Sequence, residues 1–181
     1  MSDRRVGRWA IFIGVTAAVV IADQLTKAWV AAAIEPGQVT DVFGSYVRLI
    51  ITQNTGGLFG LFQGNALLFA LVSLLVIAAI VVVEARAGTT WLTSLTFGLL
   101  LGGAIGNLID RLRQGYVLDF VDAGVGSLRW FTFNVADAAI SSAIVLLILI
   151  ALVPGLDRWA GGLGSDASSS TPPAGEGSDA R

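Results

Sequence analysis

The sequence lacks two residue types on which much enzyme chemistry depends. None of its 181 residues is cysteine or histidine, which excludes disulfides, thiol and imidazole nucleophiles, Ser-His-Asp triads, the usual zinc sites and haem ligation. Charge is also scarce, because 13% of the residues are charged, about half the share in soluble domains. Acid–base chemistry therefore falls to Asp, Glu, Lys, Tyr or Arg, and we expect no metal and no cofactor.

Apolar residues dominate what is present. They make up 55% of the chain, and the mean hydropathy is +0.78, so lipid is the expected solvent. The net charge is −2, and the largest basic cluster is Arg4, Arg5 and Arg8. This balance argues against a nucleic-acid partner.

Segments with the length and composition of membrane-spanning helices, which need about 20 largely apolar residues, cover residues 9–34, 66–83, 91–109 and 135–153. Together they predict a single membrane domain over residues 1–153, with outer connections at 35–65 and 110–134. Residues 154–181 are rich in Ser, Gly and Pro, which predicts a disordered tail.

The basic cluster before the first segment predicts a cytoplasmic N-terminus, so both outer connections face outward and the tail is cytoplasmic. Trp9 and Trp29 are about 30 Å apart along a helix, which suits two membrane–water interfaces, although core tryptophans could give the same spacing. The first segment contains charged residues and no small-residue cleavage site, so we do not interpret it as a removable signal peptide.

The outer connections contain segments rich in β-branched and aromatic residues. Two hairpins are predicted, Val39–Phe43 with Tyr46–Thr52 and Tyr116–Val121 with Leu128–Phe133. Gly44 and Ser45 would form the first turn, and residues 122–126 the second. We therefore expect a small outer sheet on the membrane face, and Leu58–Phe62 is apolar enough to lie in the interface.

Ionisable residues inside spans cost about 2.5–3.5 kcal/mol each at a helix centre, so each is a functional hypothesis. Asp23 lies about 21 Å beyond Trp9, in the outer third of the membrane, and Lys27 follows on the same helical face. This spacing suits an ion pair. The pair could also do no more than neutralise itself and hold the first helix against its neighbours.

The third segment ends in glycines and polar residues. Gly102 and Gly106 predict close helix packing, and Asn107, Asp110 and Arg111 bring polar groups to its outer end. A packing face with an interfacial Asp110–Arg111 ion pair would explain the glycines well and Asn107 poorly.

Asp119 lies in an otherwise apolar extended run, and Asp137 lies at the start of the fourth segment. Asp137 follows Asn134 by three residues, as in a capping box, and taken alone it would more often be a cap than a catalyst. Because one outer connection joins the third and fourth segments, Asp119 and Asp137 can converge. Two close carboxyl groups hold one proton between them, which gives one acid and one base.

In these polar stretches the sequence resembles the bacterial lipoprotein signal peptidases, or type II signal peptidases. The resemblance extends from about Ala10 to Val153 and is carried by Asp23–Lys27, Asn54–Gly56, Gly103–Arg111, Val117–Phe120 and Phe133–Asp137. The sequence departs from the family pattern over residues 54–60, where relatives more often have small alanines after the first glycine and this chain has Leu58.

The resemblance implies a fold: an all-α polytopic protein with four transmembrane helices, a small extracytoplasmic β-sheet or cradle, and an interfacial helix. It implies an aspartyl endopeptidase that cuts prolipoproteins before the diacylglyceryl-modified cysteine. Asp119 and Asp137 would be the catalytic pair. The residues expected to bind substrate or shape the site are Asn54, Gly56, Asn107, Asp110, Arg111, Asn134 and Ala136, supported by Asp23 and Lys27.

The resemblance also implies partners and a location. We expect a lipid-modified prolipoprotein as substrate, contact with membrane lipid, inhibition by globomycin-type compounds, a monomer, and an active site at the outer face of the bacterial cytoplasmic membrane. Two other classes stay open on the residues alone. A small transporter or proton-conducting protein would need acids at several depths, and a membrane scaffold would use the polar residues only to hold helices together.

Overall fold

The computed structural model describes residues 3–57, 62–86, 90–153 and 155–157. Its elements, in chain order, are α1 (Asp3–Ala33), β1 (Thr40–Phe43), β2 (Val47–Asn54), α2 (Ala66–Arg86), α3 (Trp91–Gln114), β3 (Val117–Val125), β4 (Leu128–Arg129) and α4 (Val135–Leu152). All four helices are long and apolar enough to cross a membrane. The prediction of four spanning helices with a small antiparallel sheet is confirmed.

The helix α3 is the centre of the bundle and packs against the other three helices. More than half of its span is buried (56%), compared with 17% or less for each of the others. Its glycines explain the close approach, because a Cβ on Gly98 or Gly102 would lie within 3.0 Å of atoms of α1. A Cβ on Gly103 would lie 2.5 Å from the carbonyl oxygen of Ala136 in α4. The predicted small-residue packing face therefore serves two helix contacts.

The third helix runs five residues further than the predicted span, to Gln114. Gly115 ends it with a left-handed φ of 77°, and the Gly115 N–H donates to the carbonyl oxygen of Arg111. Asp110 and Arg111 thus belong to the last turns of α3 rather than to a loop, and Asp110 pairs with Lys27 rather than with its neighbour Arg111. The helix α1 likewise begins six residues before the predicted span.

The helix α2 extends to Arg86 and so includes a buried acid that the predicted span left out. Glu84 is 2% exposed and accepts a hydrogen bond from the Ser94 hydroxyl at 2.8 Å. Ser94 precedes Asn107 by 13 residues of α3, about 20 Å. Glu84 therefore lies at the opposite end of the bundle from the other buried acids.

The strands form one antiparallel sheet in the order β1-β2-β3-β4, which joins the two outer connections. The first predicted hairpin is present, with its turn at Gly44 (φ 51°). The second differs from the prediction, since β3 continues through the expected turn to Val125, β4 is two residues long, and Phe133 only bridges to Val121. Pairing of Asp122 with arginines on both flanking strands keeps this stretch extended, and the chain turns at Gly126 (φ 56°).

Two further predictions fall mostly on residues outside the described ranges. Of the predicted interfacial segment Leu58–Phe62, only Phe62 belongs to the described residues, and it is 75% exposed. Of the predicted tail, only residues 155–157 are described.

Candidate active site

The first turn of α4 brings Asn134 and Asp137 together. The backbone N–H of Asp137 donates to the side-chain oxygen of Asn134 at 2.9 Å, and the Asp137 carboxylate accepts from the Asn134 N–H, which completes the predicted capping box. A second acid reaches the same helix end from α1, because Asp23 Oδ1 accepts the N–H of Ala136 at 3.0 Å. The first backbone N–H groups of a helix have no partner within the helix, so carboxylates that accept from them are stabilised there.

The sheet delivers Asp119 to the same place. Asp119 lies in β3 opposite Thr52 of β2 and is 2% exposed. Both of its carboxyl oxygens accept amide donors: Oδ2 from Asn54 Nδ2 at 3.0 Å and Oδ1 from Asn134 Nδ2 at 2.7 Å. The register of β2 and β3 therefore places the side chain of Asp119 against the start of α4.

Two amide side chains connect the aspartates. Asn134 contacts both, through its side chain to Asp119 and through its capping bonds to Asp137. Asn107 of α3 donates from Nδ2 to Asp137 at 2.8 Å, and its oxygen accepts from Asn134 at 3.2 Å. Asp119 and Asp137 thus share one hydrogen-bonded cluster.

Burial and mutual repulsion govern the protonation of Asp119. Burial raises the pKa of the Asp119 carboxyl, and the nearby charge of Asp137 raises it further, to about 7. Hydrogen bonds from Asn54 and Asn134 and the charge of Lys27 act in the opposite direction. Asp119 is therefore protonated below about pH 7, in a range where an ordinary aspartate is ionised.

An ion cluster beneath the aspartates joins α1 to α3. The Lys27 ammonium, 5% exposed, lies 2.8 Å from carboxylate oxygens of both Asp23 and Asp110. It also donates to the oxygen of Asn107 at 3.2 Å, and Asp110 accepts the N–H of Leu118 at the start of β3. The predicted Asp23–Lys27 pair is present, and it contacts the cluster that holds Asp137.

The loop after β2 is folded against Arg111. Arg111 Nη2 donates to the carbonyl oxygen of Gly56 at 2.7 Å, and Asn54 binds both the Gly56 N–H and the Gly57 carbonyl. The guanidinium lies over the ring of Phe69, 5.7 Å from its centre. Arg111 Nε is buried and, among the described residues, has no hydrogen-bond acceptor, so it is available to a ligand carbonyl.

Two cavities meet at this cluster. The inner cavity, of about 340 Å³, extends from Asn54, Asn107, Arg111 and Asp137 along the apolar faces of α2, α3 and α4. The outer cavity, of about 80 Å³, is lined by Thr52, Gln53, Asn54, Gln63, Asp119, Phe131 and Thr132. Asn54 borders both, so the aspartates are reachable from the bilayer side and from the sheet side.

The structure brings all the predicted site residues into or against this cluster. Ala136 is 0% exposed and packs against α3, where a Cβ on Gly106 would lie 3.3 Å from the Cβ of Ala136. Sequence reasoning missed Gln24, which donates to Asp23 and Asp110, and also Phe69 and Gln63. Gln24 had a signal, as an amide inside a span, whereas the other two lie outside any polar pattern. Among the described residues, no group of three metal-ligating side chains is placed to hold a metal ion.

Comparison with known proteins supports one family. A family model described as signal peptidase (SPase) II matches residues 15–153. A lipoprotein signal peptidase of Syntrophomonas wolfei is 42% identical over 137 residues, covering 76% of this chain and 89% of the relative. That of Rhodococcus jostii is 37% identical over 150 residues, covering 79% of this chain and 73% of the relative.

Solved structures agree with the sequence matches. One structure of a bacterial membrane enzyme is 27% identical, with a TM-score of 0.71 over 79% of this chain and 93% of that chain. Another is 25% identical, with a TM-score of 0.70 over 91% of this chain and 94% of the other. With four helices able to span a membrane and a family match over most of its length, this chain belongs to the signal peptidase II family.

Proposed function

We propose that this chain is an aspartic endopeptidase that removes signal peptides from prolipoproteins by cutting before the diacylglyceryl-modified cysteine. The observation that carries the proposal is the bridging of Asp119 and Asp137 by Asn134. Two carboxyl groups in one cluster can divide the roles of acid and base, and the family match supports peptide hydrolysis as the reaction.

The proposed mechanism begins with a water molecule between the two carboxyl groups. Asp137 takes a proton from this water while the water oxygen attacks the scissile carbonyl carbon. Protonated Asp119 donates a hydrogen bond to the carbonyl oxygen. The tetrahedral intermediate then collapses, and the proton held by Asp137 passes to the leaving nitrogen. The raised pKa of Asp119 supports its role as the group that holds the resting proton.

The remaining polar groups suit an extended peptide in the inner cavity. Arg111 Nε and the NH₂ group of Asn107 line that cavity and can donate to peptide carbonyls that have left water. Such bonds are stronger in surroundings of low dielectric constant. Gly56 fixes the position of Arg111, while Asp110 and Lys27 hold the ends of α3 and α1 beneath the site.

We further propose an orientation in which the site lies at the outer face of the cytoplasmic membrane and both termini are cytoplasmic. The basic cluster at the N-terminus supports it. This depth gives water access to the aspartates, while the acyl chains of the substrate stay in membrane lipid. We also propose that the chain acts as a monomer.

A transporter or proton conductor finds less support. The buried acids lie at two levels, with Glu84 at one end of the bundle and the aspartate cluster at the other. Between these levels the four helices contain no ionisable residue, so no relay connects them. A scaffold role does not explain why two buried carboxyl groups are joined by one asparagine.

The test is a cleavage assay on purified protein with a diacylglyceryl-modified prolipoprotein, with the product identified by mass. We expect Asp119→Asn and Asp137→Asn each to keep the fold and lower the cleavage rate by about 10³-fold or more, because each removes a proton-transfer group. The matched control is Asp41→Asn, which alters an exposed carboxylate of β1 and should keep the wild-type rate. Globomycin-type inhibitors should block the wild-type enzyme.

A folded variant of either buried aspartate that cleaves at the wild-type rate would disprove the catalytic assignment. Equal thermal destabilisation by both changes, with turnover preserved, would instead support the scaffold interpretation.

A further inference from the structure

The two cavities differ in the chemistry of their walls, and this difference gives the site a direction. The inner cavity continues from Asn107 and Arg111 down to Val76, Leu100 and Ile140, which are apolar and belong to spanning helices. The outer cavity lies on the other side of Asn54 and is formed by β2, by Gln63 and by the chain that precedes α4. One is therefore a lipid-side space and the other an outer, polar space.

The outer cavity reaches one of the proposed catalytic groups directly. Asp119 forms part of its wall, together with the polar side chains of Thr52, Gln53, Gln63 and Thr132. Gln63 is held in place by the hydroxyl and the N–H of Thr55, at 2.6 and 3.1 Å. A chain bound across Asn54 would therefore pass from an apolar wall to a polar one within a residue or two of the scissile bond.

We propose that the outer cavity is the subsite for the first residues of the mature lipoprotein, those that directly follow the lipidated cysteine. The inference rests on the proposed function, because it assigns the two ends of that substrate to the two cavities. The apolar signal peptide is retained in lipid and matches the inner cavity, whereas the mature chain is hydrated and leaves past β2. The outer cavity has a volume of about 80 Å³, and its lining is mostly polar, which suits hydrated residues.

Gln53 is the residue best placed to test the subsite. It lies on the rim of the outer cavity, it is exposed, and its neighbour Asn54 contacts Asp119. Because Gln53 is exposed, a lysine or a glutamate at this position is compatible with folding. A charge placed there would lie beside the mature chain if the proposal is right.

The experiment uses two diacylglyceryl-modified peptides that are identical up to the cysteine and carry Asp or Lys at the second residue after it. Both compete for the same enzyme, so the ratio of their kcat/KM values cancels any general effect on the catalytic pair Asp119 and Asp137. Gln53→Lys should shift this ratio toward the Asp peptide by about threefold, and Gln53→Glu toward the Lys peptide by a similar factor, as for exposed ion pairs. Both shifts should shrink at high salt.

The matched control is Gln38, an exposed glutamine after α1 that lines neither cavity. Gln38→Lys and Gln38→Glu should leave the ratio at the wild-type value. Selectivity for residues before the cut should also be unchanged in the Gln53 variants.

The outcomes separate the two proposals. Cleavage of both peptides with a ratio that ignores the charge at Gln53, or that shifts equally with Gln38, would overturn the subsite and leave the proposed function standing. Failure of the wild-type enzyme to cut any modified peptide would overturn the proposed function and the subsite with it.

Discussion

At the scale of single residues, the orientation of one amide group determines how Asp137 is held. The oxygen of Asn107 accepts from Lys27 and from Asn134, and its NH₂ group donates to Asp137. Since an ammonium group can only donate, the side-chain amide of Asn107 cannot be reversed without losing the Lys27 contact. Lys27 thereby acts as a positioning residue for Asp137 through Asn107.

This contact leads to a prediction for Asn107→Ala. Loss of the donor to Asp137 should lower kcat by about 10²-fold, comparable to removal of a positioned donor in other active sites, and should leave the protein folded. The control is Gln38→Ala, which changes an exposed amide after α1 and should keep the wild-type kcat. Cleavage by Asn107→Ala within twofold of wild type would contradict this role.

The raised pKa of Asp119 predicts how stability depends on pH. Its folded pKa of about 7 exceeds the ordinary value of 3.8, so between these values the native state binds more protons than the unfolded state. The contribution of this group to stability is therefore complete below about pH 4 and is lost as the pH rises through about 7. An asparagine at position 119 carries no such dependence.

We accordingly expect the melting temperature of Asp119→Asn, relative to wild type, to rise between about pH 5.5 and about pH 8.5. Thermal unfolding in detergent at both pH values measures this difference. The exposed Asp41→Asn variant should show a constant offset. A relative melting temperature for Asp119→Asn that stays the same at both pH values would contradict the shifted pKa.

At the scale of elements, α3 is the central packing element because its glycines allow α1 and α4 to approach it closely. A Cβ on Gly102 would lie 2.7 Å from the Cβ of Val19 and 3.0 Å from the carbonyl oxygen of Thr16. These neighbours belong to a packed helix and cannot move as freely as a flexible side-chain end. The close approach is what allows Asp23 and Lys27 to reach α3 and α4.

Gly102→Ala should therefore lower the free energy of unfolding by about 1–3 kcal/mol, as expected for overpacking. The matched control is Gly14→Ala in α1, where the added Cβ meets nothing within 4 Å. Because alanine favours helix, that change should be neutral or stabilising by up to about 1 kcal/mol. Melting temperatures in detergent compare the two, and equal effects would argue against tight α1–α3 packing.

The sheet depends on an acid between two arginines. Asp122 of β3 accepts hydrogen bonds from Arg48 of β2 at 2.5 Å and from Arg129 of β4 at 2.9 Å. Hydrogen bonds from Arg129 and Arg48 hold the pKa of Asp122 below its ordinary range, although burial opposes them. This cluster ties three strands together and so supports the register that places Asp119.

At the scale of the whole molecule, residues far apart in sequence close the site. Asp23 binds the N–H of Ala136 across 113 positions of the chain, and Asn54 binds Asp119 across 65. The first contact joins α1 to the start of α4, and the second joins the two outer connections. The aspartates therefore depend on the assembled bundle and sheet together.

The proposed orientation can be tested by labelling, since the chain contains no cysteine. We expect a single cysteine at Gln38 to react with a membrane-impermeant maleimide in intact spheroplasts, because Gln38 lies in an outer connection. A single cysteine at Asp3 should react only after lysis. Labelling of the Asp3 variant in intact spheroplasts would reverse the topology and place the aspartates on the cytoplasmic side.

Much of this protein could be predicted from short windows of sequence. The four spans follow from runs of apolar residues, the capping box at Asn134 from a local spacing, and the Asp23–Lys27 pair from helical periodicity. These features depend on neighbours within a few residues, where chain geometry leaves little choice. Asp119 and Asp137 stood out for a related reason, because an acid among apolar residues is costly to bury.

Other features were decided by tertiary structure. The extension of β3 through Asp122 depends on arginines that approach from two other strands. The composition of residues 122–126 predicted a turn there instead, and that prediction was wrong. The links from Asn134 and Asn107 to the two aspartates depend on helix rotation and strand register. The same holds for the two cavities on either side of Asn54. A local pattern identifies which polar groups must find partners, whereas only the packed bundle determines which partners lie within hydrogen-bonding distance.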